Sequence, residues 1–122
     1  MPAPALPIDG TSWPASMDAL IAAPAHHTLL FEDADVRVLE TRIRPGERTP
    51  VHTHRWPSVL SILSWSPFIR RDADGVTQLD TRGSTTAPPQ ALYSPPLGPH
   101  TLENVGDREI RVISVELKRT PA

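Results

Sequence analysis

From His27 onward the chain alternates short apolar runs with clusters of Gly, Pro, Asp and Asn, a pattern of strands delimited by turns rather than of helices. Residues 28–31 form a first apolar run, 32–35 a turn and 36–44 a second run. In that second run Val36 and Val38 share one parity while Leu39, Thr41 and Ile43 share the other, which predicts a bulge or burial on both faces. Pro45, Gly46 and Glu47 mark a turn, and strands are predicted at 51–56 and 59–64 on either side of Pro57. Residues 68–71 and 76–79 flank Asp72-Ala73-Asp74-Gly75, a hairpin signal. A polar, proline-bearing loop over 83–90 leads to a short strand at 91–94, and a longer strand at 109–118 follows a turn over 104–107. About eight strands at this spacing predict an all-β sandwich or barrel.

The N-terminal residues read differently. Pro2, Pro4, Pro7, Gly10 and Pro14 keep residues 1–15 extended, with Trp13 anchoring this arm to the body. Ser16 is placed to cap a short helix through Met17, Asp18, Leu20 and Ile21 that Pro24 ends. The chain thus divides into an arm with a short helix, 1–25, and a barrel domain, 26–122.

Composition narrows the function classes. The 122 residues make one domain, and 15 prolines argue against a helical bundle. Net charge is −2, which lacks the basic footprint of a nucleic-acid binder. Absence of cysteine removes disulfides, thiolate zinc sites and a cysteine nucleophile. No apolar run approaches the roughly 20 residues of a spanning helix, and no basic residue precedes Arg37 as a leader would require. A cytoplasmic protein without nucleic-acid or membrane partners is expected.

The chemistry lies in the histidines. His52 and His54 are two apart in a predicted strand, so both imidazoles face the same way and can chelate one ion. His100, from a distant strand, can complete a three-ligand site with open positions for water or substrate. His26 and His27 have nothing at ligand spacing beside them and read as structural or exposed.

Gly46, five residues, then His52-Thr53-His54 resembles the first motif of the cupin superfamily, and Pro95 to His100 to Asn104 resembles the second. The resemblance covers roughly residues 27–118 and implies a double-stranded β-helix, a jelly-roll barrel, with His52, His54 and His100 as metal ligands. The sequence departs from the family pattern where it matters for chemistry. Val59 stands at the place of the metal-binding glutamate, with Ser58 beside it, and Ser66 at the place of the motif's closing glycine; Pro89 and Leu97 replace two glycines of the second motif, with Gly98 displaced by one. A three-histidine set leaves a divalent ion with its full charge of about +2, a stronger Lewis acid. Among cupins, thiol dioxygenases hold ferrous iron on three histidines. The resemblance therefore implies iron first, with nickel, zinc, manganese and copper open, and a dioxygenase-like enzyme acting on a small molecule. The rival is a non-catalytic small-molecule-binding or sensor cupin.

Three residues are candidates for the substrate pocket. Trp56 shares the parity of His52 and His54, Tyr93 lies near the second motif, and Arg70 is one of an adjacent pair of which only one can face inward. Apolar residues on both parities of 36–43 and 110–117 exceed what one sheet face buries, which predicts a homodimer.

Overall fold

The computed structural model describes residues 12–118. Positions 1–11 of the expected arm lie outside the described residues. A 3₁₀ turn at Ala15–Met17 leads into a one-turn helix, α1, at Ala19–Ala22. Asp18, not Ser16, is the cap: its carboxylate accepts from the Leu20 N–H at 3.1 Å. Trp13 packs over Gly98, where an added Cβ would come within 3.1 Å of the indole.

Among the described residues nine strands follow: β1 (His27–Glu32), β2 (Val36–Ile43), β3 (His52–His54), β4 (Ser58–Ser64), β5 (Phe68–Asp72), β6 (Thr77–Asp80), β7 (Ala91–Ser94), β8 (Leu97–Asn104) and β9 (Ile110–Leu117). They form a five-stranded sheet, β1-β2-β9-β4-β7, and a four-stranded sheet, β3-β8-β5-β6, antiparallel throughout. Ile43, Phe68, Ile110 and Val112 make a buried core to which both sheets contribute, with Leu60, Ile62, Trp65 and Leu102 packed on it. Alternation positions this core, since in β9 Ile110, Val112, Ser114 and Glu116 face in while the residues between them are less buried.

Of the two alternatives for the parity change over 36–43, the bulge is absent, because β2 pairs with β9 without interruption and the irregularity lies in β1, between Leu29 and Phe31; instead Val36 and Val38 are half-buried on the second face. The apolar runs predict no strand over 97–104, although His100 is expected on one; that strand is β8. Pro99 has no N–H to give the ladder, and the β3–β8 pairing shifts register there, between His52↔His100 and His54↔Leu97.

Asn104 fixes the turn after β8. Fully buried, it donates from Nδ2 to the carbonyls of Ile43 (2.9 Å) and Arg108 (2.7 Å) and accepts from the Gly106 N–H (3.0 Å). Gly106 packs so closely on Ser66 and Pro67 that no Cβ fits. Ser66, buried at the position of the missing motif glycine, helps make that fit.

Candidate metal centre

Four imidazoles converge between the sheets. His52 and His100 are direct cross-strand partners, and their ring centroids lie 4.4 Å apart. His54 is 4.9 Å from His52 and 5.5 Å from His100. The fourth is His27, 4.8 Å from His52 and 5.4 Å from His54. Ring nitrogens of His27, His52 and His54 all lie within 4.8 Å of one another. The expectation that His27 is a structural or exposed residue is therefore corrected: it is buried at the first position of β1 and faces the motif histidines. Its neighbour His26 sits outside the cluster, with Nδ1 on the Arg42 carbonyl at 3.1 Å.

Backbone contacts settle the tautomers of three rings. His27 Nδ1 lies 3.0 Å from the Ala23 carbonyl, His52 Nδ1 2.8 Å from that of Pro50 and His100 Nδ1 2.7 Å from that of Gly98. A carbonyl only accepts, so each Nδ1 carries the hydrogen, and in the neutral ring each Nε2 keeps its lone pair. Burial holds the rings neutral. It pushes His27 and His54 down to about 3 and His100 to about 2, with repulsion from the neighbouring histidines adding to the effect. His52 is lowered for the same first reason, burial. Oriented, deprotonated nitrogen donors with carbonyls behind them are what a transition-metal ion requires.

His54 is supported differently. Its Nδ1 lies 3.7 Å from Glu116 Oε2, a buried oxygen with no hydrogen-bond partner. The other oxygen of Glu116 accepts from Arg37 Nε at 2.5 Å, and Arg37 also holds Asp18 through a two-point contact of 2.8 and 3.0 Å. Burial outweighs the arginine at Glu116 and raises its carboxyl; at Asp18 burial acts the same way, but the bonds and charge of Arg37 win and lower it. The unsatisfied Oε2 is placed to accept from His54 Nδ1, the carboxylate–histidine arrangement that orients metal-bound imidazoles. Ala23, which ends α1, and Asp18, which caps it, thus back the centre from the N-terminal segment.

The histidines border a cavity of about 450 Å³ whose walls include Ile43, Leu60, Ile62, Trp65, Phe68 and Val112. Arg70 reaches it from the inner face of β5, while Arg71 faces away and pairs with Glu103 at 2.8 Å. Tyr93 borders the cavity, but its register partner is Val59 and it is 62% exposed, which puts it at the rim on the outer face. Trp56 is not among the lining residues. It lies under the guanidinium groups of Arg37 and Arg55, at 4.9 and 4.7 Å, and the aromatic wall is Trp65 instead. Val59, at the position of the motif glutamate, is 43% exposed on the outer face, so nothing there replaces the carboxylate.

No protein-family model matches the chain, and no curated protein does. Solved structures do. A cupin domain from Bordetella pertussis Tohama I superposes with a TM-score of 0.60 at 24% identity, over 76% of this chain and 92% of that one. A double-stranded β-helix protein from Klebsiella pneumoniae gives 0.53 at 16% identity, over 79% and 74%. The polyketide cyclase RemF from Streptomyces resistomycificus gives 0.50 at 21% identity, over 79% and 66%. With its two antiparallel sheets closing on a histidine-lined cavity, the chain has the double-stranded β-helix fold of the cupins.

Proposed function

We propose that this protein is a metal-dependent enzyme that acts on a small, largely apolar molecule through that molecule's oxygen donors, with His27, His52, His54 and His100 holding a divalent ion. The observation that carries the reading is the convergence of four neutral imidazoles, three of them oriented by backbone carbonyls, at the wall of an apolar cavity, with the ring nitrogens of His27, His52 and His54 within 4.8 Å of one another. An all-imidazole set suits iron, nickel, copper and zinc better than magnesium or calcium. Such an ion would supply a Lewis acid for a carbonyl or enol oxygen, with its charge undiminished because no carboxylate is a ligand. The residues do the rest. The carbonyls of Ala23, Pro50 and Gly98 fix three rings, Glu116 supports the fourth, and the apolar walls exclude water around the substrate. The polyketide cyclase RemF has this fold.

The test is a panel of β-diketones, phenols and thiols offered to metal-loaded protein, to chelator-treated protein and to His52→Ala/His100→Ala. Metal-dependent conversion without oxygen uptake supports the Lewis-acid reading. Oxygen consumption would assign dioxygenase chemistry in its place. Ligand-induced thermal stabilisation with no turnover across the panel would assign a sensor. A homodimer is part of the proposal: Phe31, Val59, Leu63 and Tyr93 leave an exposed apolar stretch on the five-stranded sheet, and light scattering of a monomer at micromolar concentration would contradict it.

A further inference from the structure

The cavity wall is apolar apart from hydroxyls and the four imidazoles. Among the described residues it contains no carboxylate, and Arg70 is its one fixed charge. Arg71, Arg82, Arg111, Arg42 and Arg37 each have an acidic partner, but Arg70 has no ion pair among the described residues. Its Nε donates to Gln78 Oε1 at 3.2 Å, which orients the guanidinium and leaves the paired Nη edge for a ligand. Register places it beside the histidines. Arg70 is opposite Leu102 on β8, two residues from His100 on the same face, a diagonal neighbour at roughly 7–8 Å. Burial disfavours its charge, and its charge in turn helps keep His100 unprotonated. A half-buried, unpaired cation in an apolar cavity is a cost to the fold that a bound anion would relieve.

We infer that Arg70 is an anion-recognition residue: the cavity takes a small organic anion with an apolar body, whose acidic group pairs with the Arg70 guanidinium while its far end meets the histidines. The inference deepens the proposed function by naming the charge class of the substrate, and rests on the same site. A fork of two N–H donors fits a carboxylate, sulfonate or enolate. The volume of about 450 Å³ accommodates a body of two or three fused rings.

Two dyes that differ by one sulfonate, 8-anilino-1-naphthalenesulfonate and N-phenyl-1-naphthylamine, test it by fluorescence titration of chelator-treated and zinc-loaded protein. Metal-free wild type is expected to bind the sulfonate dye about tenfold or more tightly than the neutral dye. Arg70→Gln should abolish that preference while leaving the affinity for the neutral dye within about twofold, which also shows that the cavity is intact. Arg70→Lys should fall between the two. A sulfonate preference that survives Arg70→Gln, equal binding of both dyes to wild type, or binding of neither would overturn the inference. The metal-free arm isolates Arg70 from the ion: a protein that takes up no zinc yet shows the preference leaves the anion site standing while the metal reading fails for zinc.

Discussion

Replacing Arg37 by methionine removes the one cation that Asp18 and Glu116 share. The side chains of Arg37, Asp18 and Glu116 are 8%, 10% and 1% exposed, so neither carboxylate can turn to water for compensation. Asp18 would keep the Leu20 N–H, but among the described residues Glu116 would keep only His54 Nδ1, 3.7 Å from its second oxygen and too far for a hydrogen bond. Glu116 would therefore take up a proton. Measured from the ordinary carboxylate value near 4, that proton costs at most about 1.4 kcal/mol for each pH unit above it, or up to about 4 kcal/mol at pH 7 and about 2 kcal/mol at pH 5.5, and less by as much as burial already raises Glu116 beside Arg37. The first figure agrees with the roughly 3–5 kcal/mol that follows from breaking a buried pair on one side. It is a large part of the roughly 5–15 kcal/mol available to a domain. Urea unfolding of metal-free protein, followed by tryptophan fluorescence at both pH values, measures the gap between Arg37→Met and wild type. A deficit below about 1 kcal/mol at pH 7, or one that does not shrink towards pH 5.5, would refute the assignment of Arg37 as the counter-ion of a buried acidic pair.

The histidines give the opposite pH response. His27, His54 and His100 titrate near 6.5 when unfolded but near 3 or below in the folded cluster, so acid protonates the unfolded chain first. The stability of metal-free protein should be complete above pH 6.5 and fall towards pH 3, by up to about 1.4 kcal/mol per pH unit for each imidazole; a flat profile between pH 7 and 5 would contradict the neutral cluster. Glu116→Gln should weaken zinc binding roughly tenfold or more, read by competition with a chromogenic chelator, and unchanged affinity would remove Glu116 from the support of His54. Asn104→Ala strands two carbonyls and an N–H and should cost about 3 kcal/mol in urea unfolding, whereas a loss under about 1 kcal/mol would show that water replaces the amide.

Local signals carried most of the fold. Asp72 to Gly75 forms the turn it announces, with the Asp72 carboxylate accepting from the Asp74 and Val76 N–H groups, whereas 110–117, apolar on both parities, buries one parity fully and the other only in part. Where local signals misled, tertiary structure decided. Pro99 interrupts the local strand signal of β8, which accommodates it by shifting register against β3. The motif spacing brings the rings of His52, His54 and His100 within 5.5 Å of one another because a His-x-His pair and its cross-strand partner are fixed by strand geometry, but the ring nitrogens grouped within 4.8 Å are those of His52, His54 and His27. His27 was not legible in this way. It reaches the cluster through pairing of β1 with β2 and through the Ala23 carbonyl, neither of which leaves a spacing rule. The one available sign was an imidazole at the head of an otherwise apolar strand, two residues from Leu29 on the same parity. Trp56 has the parity of the histidines, but the chain turns at Pro57 and the indole ends under Arg37.

The central claim is that four histidines, one of them outside both motifs, hold one metal ion. Elemental analysis of untagged protein purified without chelator, beside His27→Ala and His52→Ala/His100→Ala, tests it most directly. The account predicts about one transition-metal ion per chain in wild type, reduced occupancy in His27→Ala and none in the double variant. Wild type that stays empty after anaerobic loading with iron, nickel, zinc, manganese and copper in turn, or a His27→Ala protein that retains full occupancy and affinity, would contradict it.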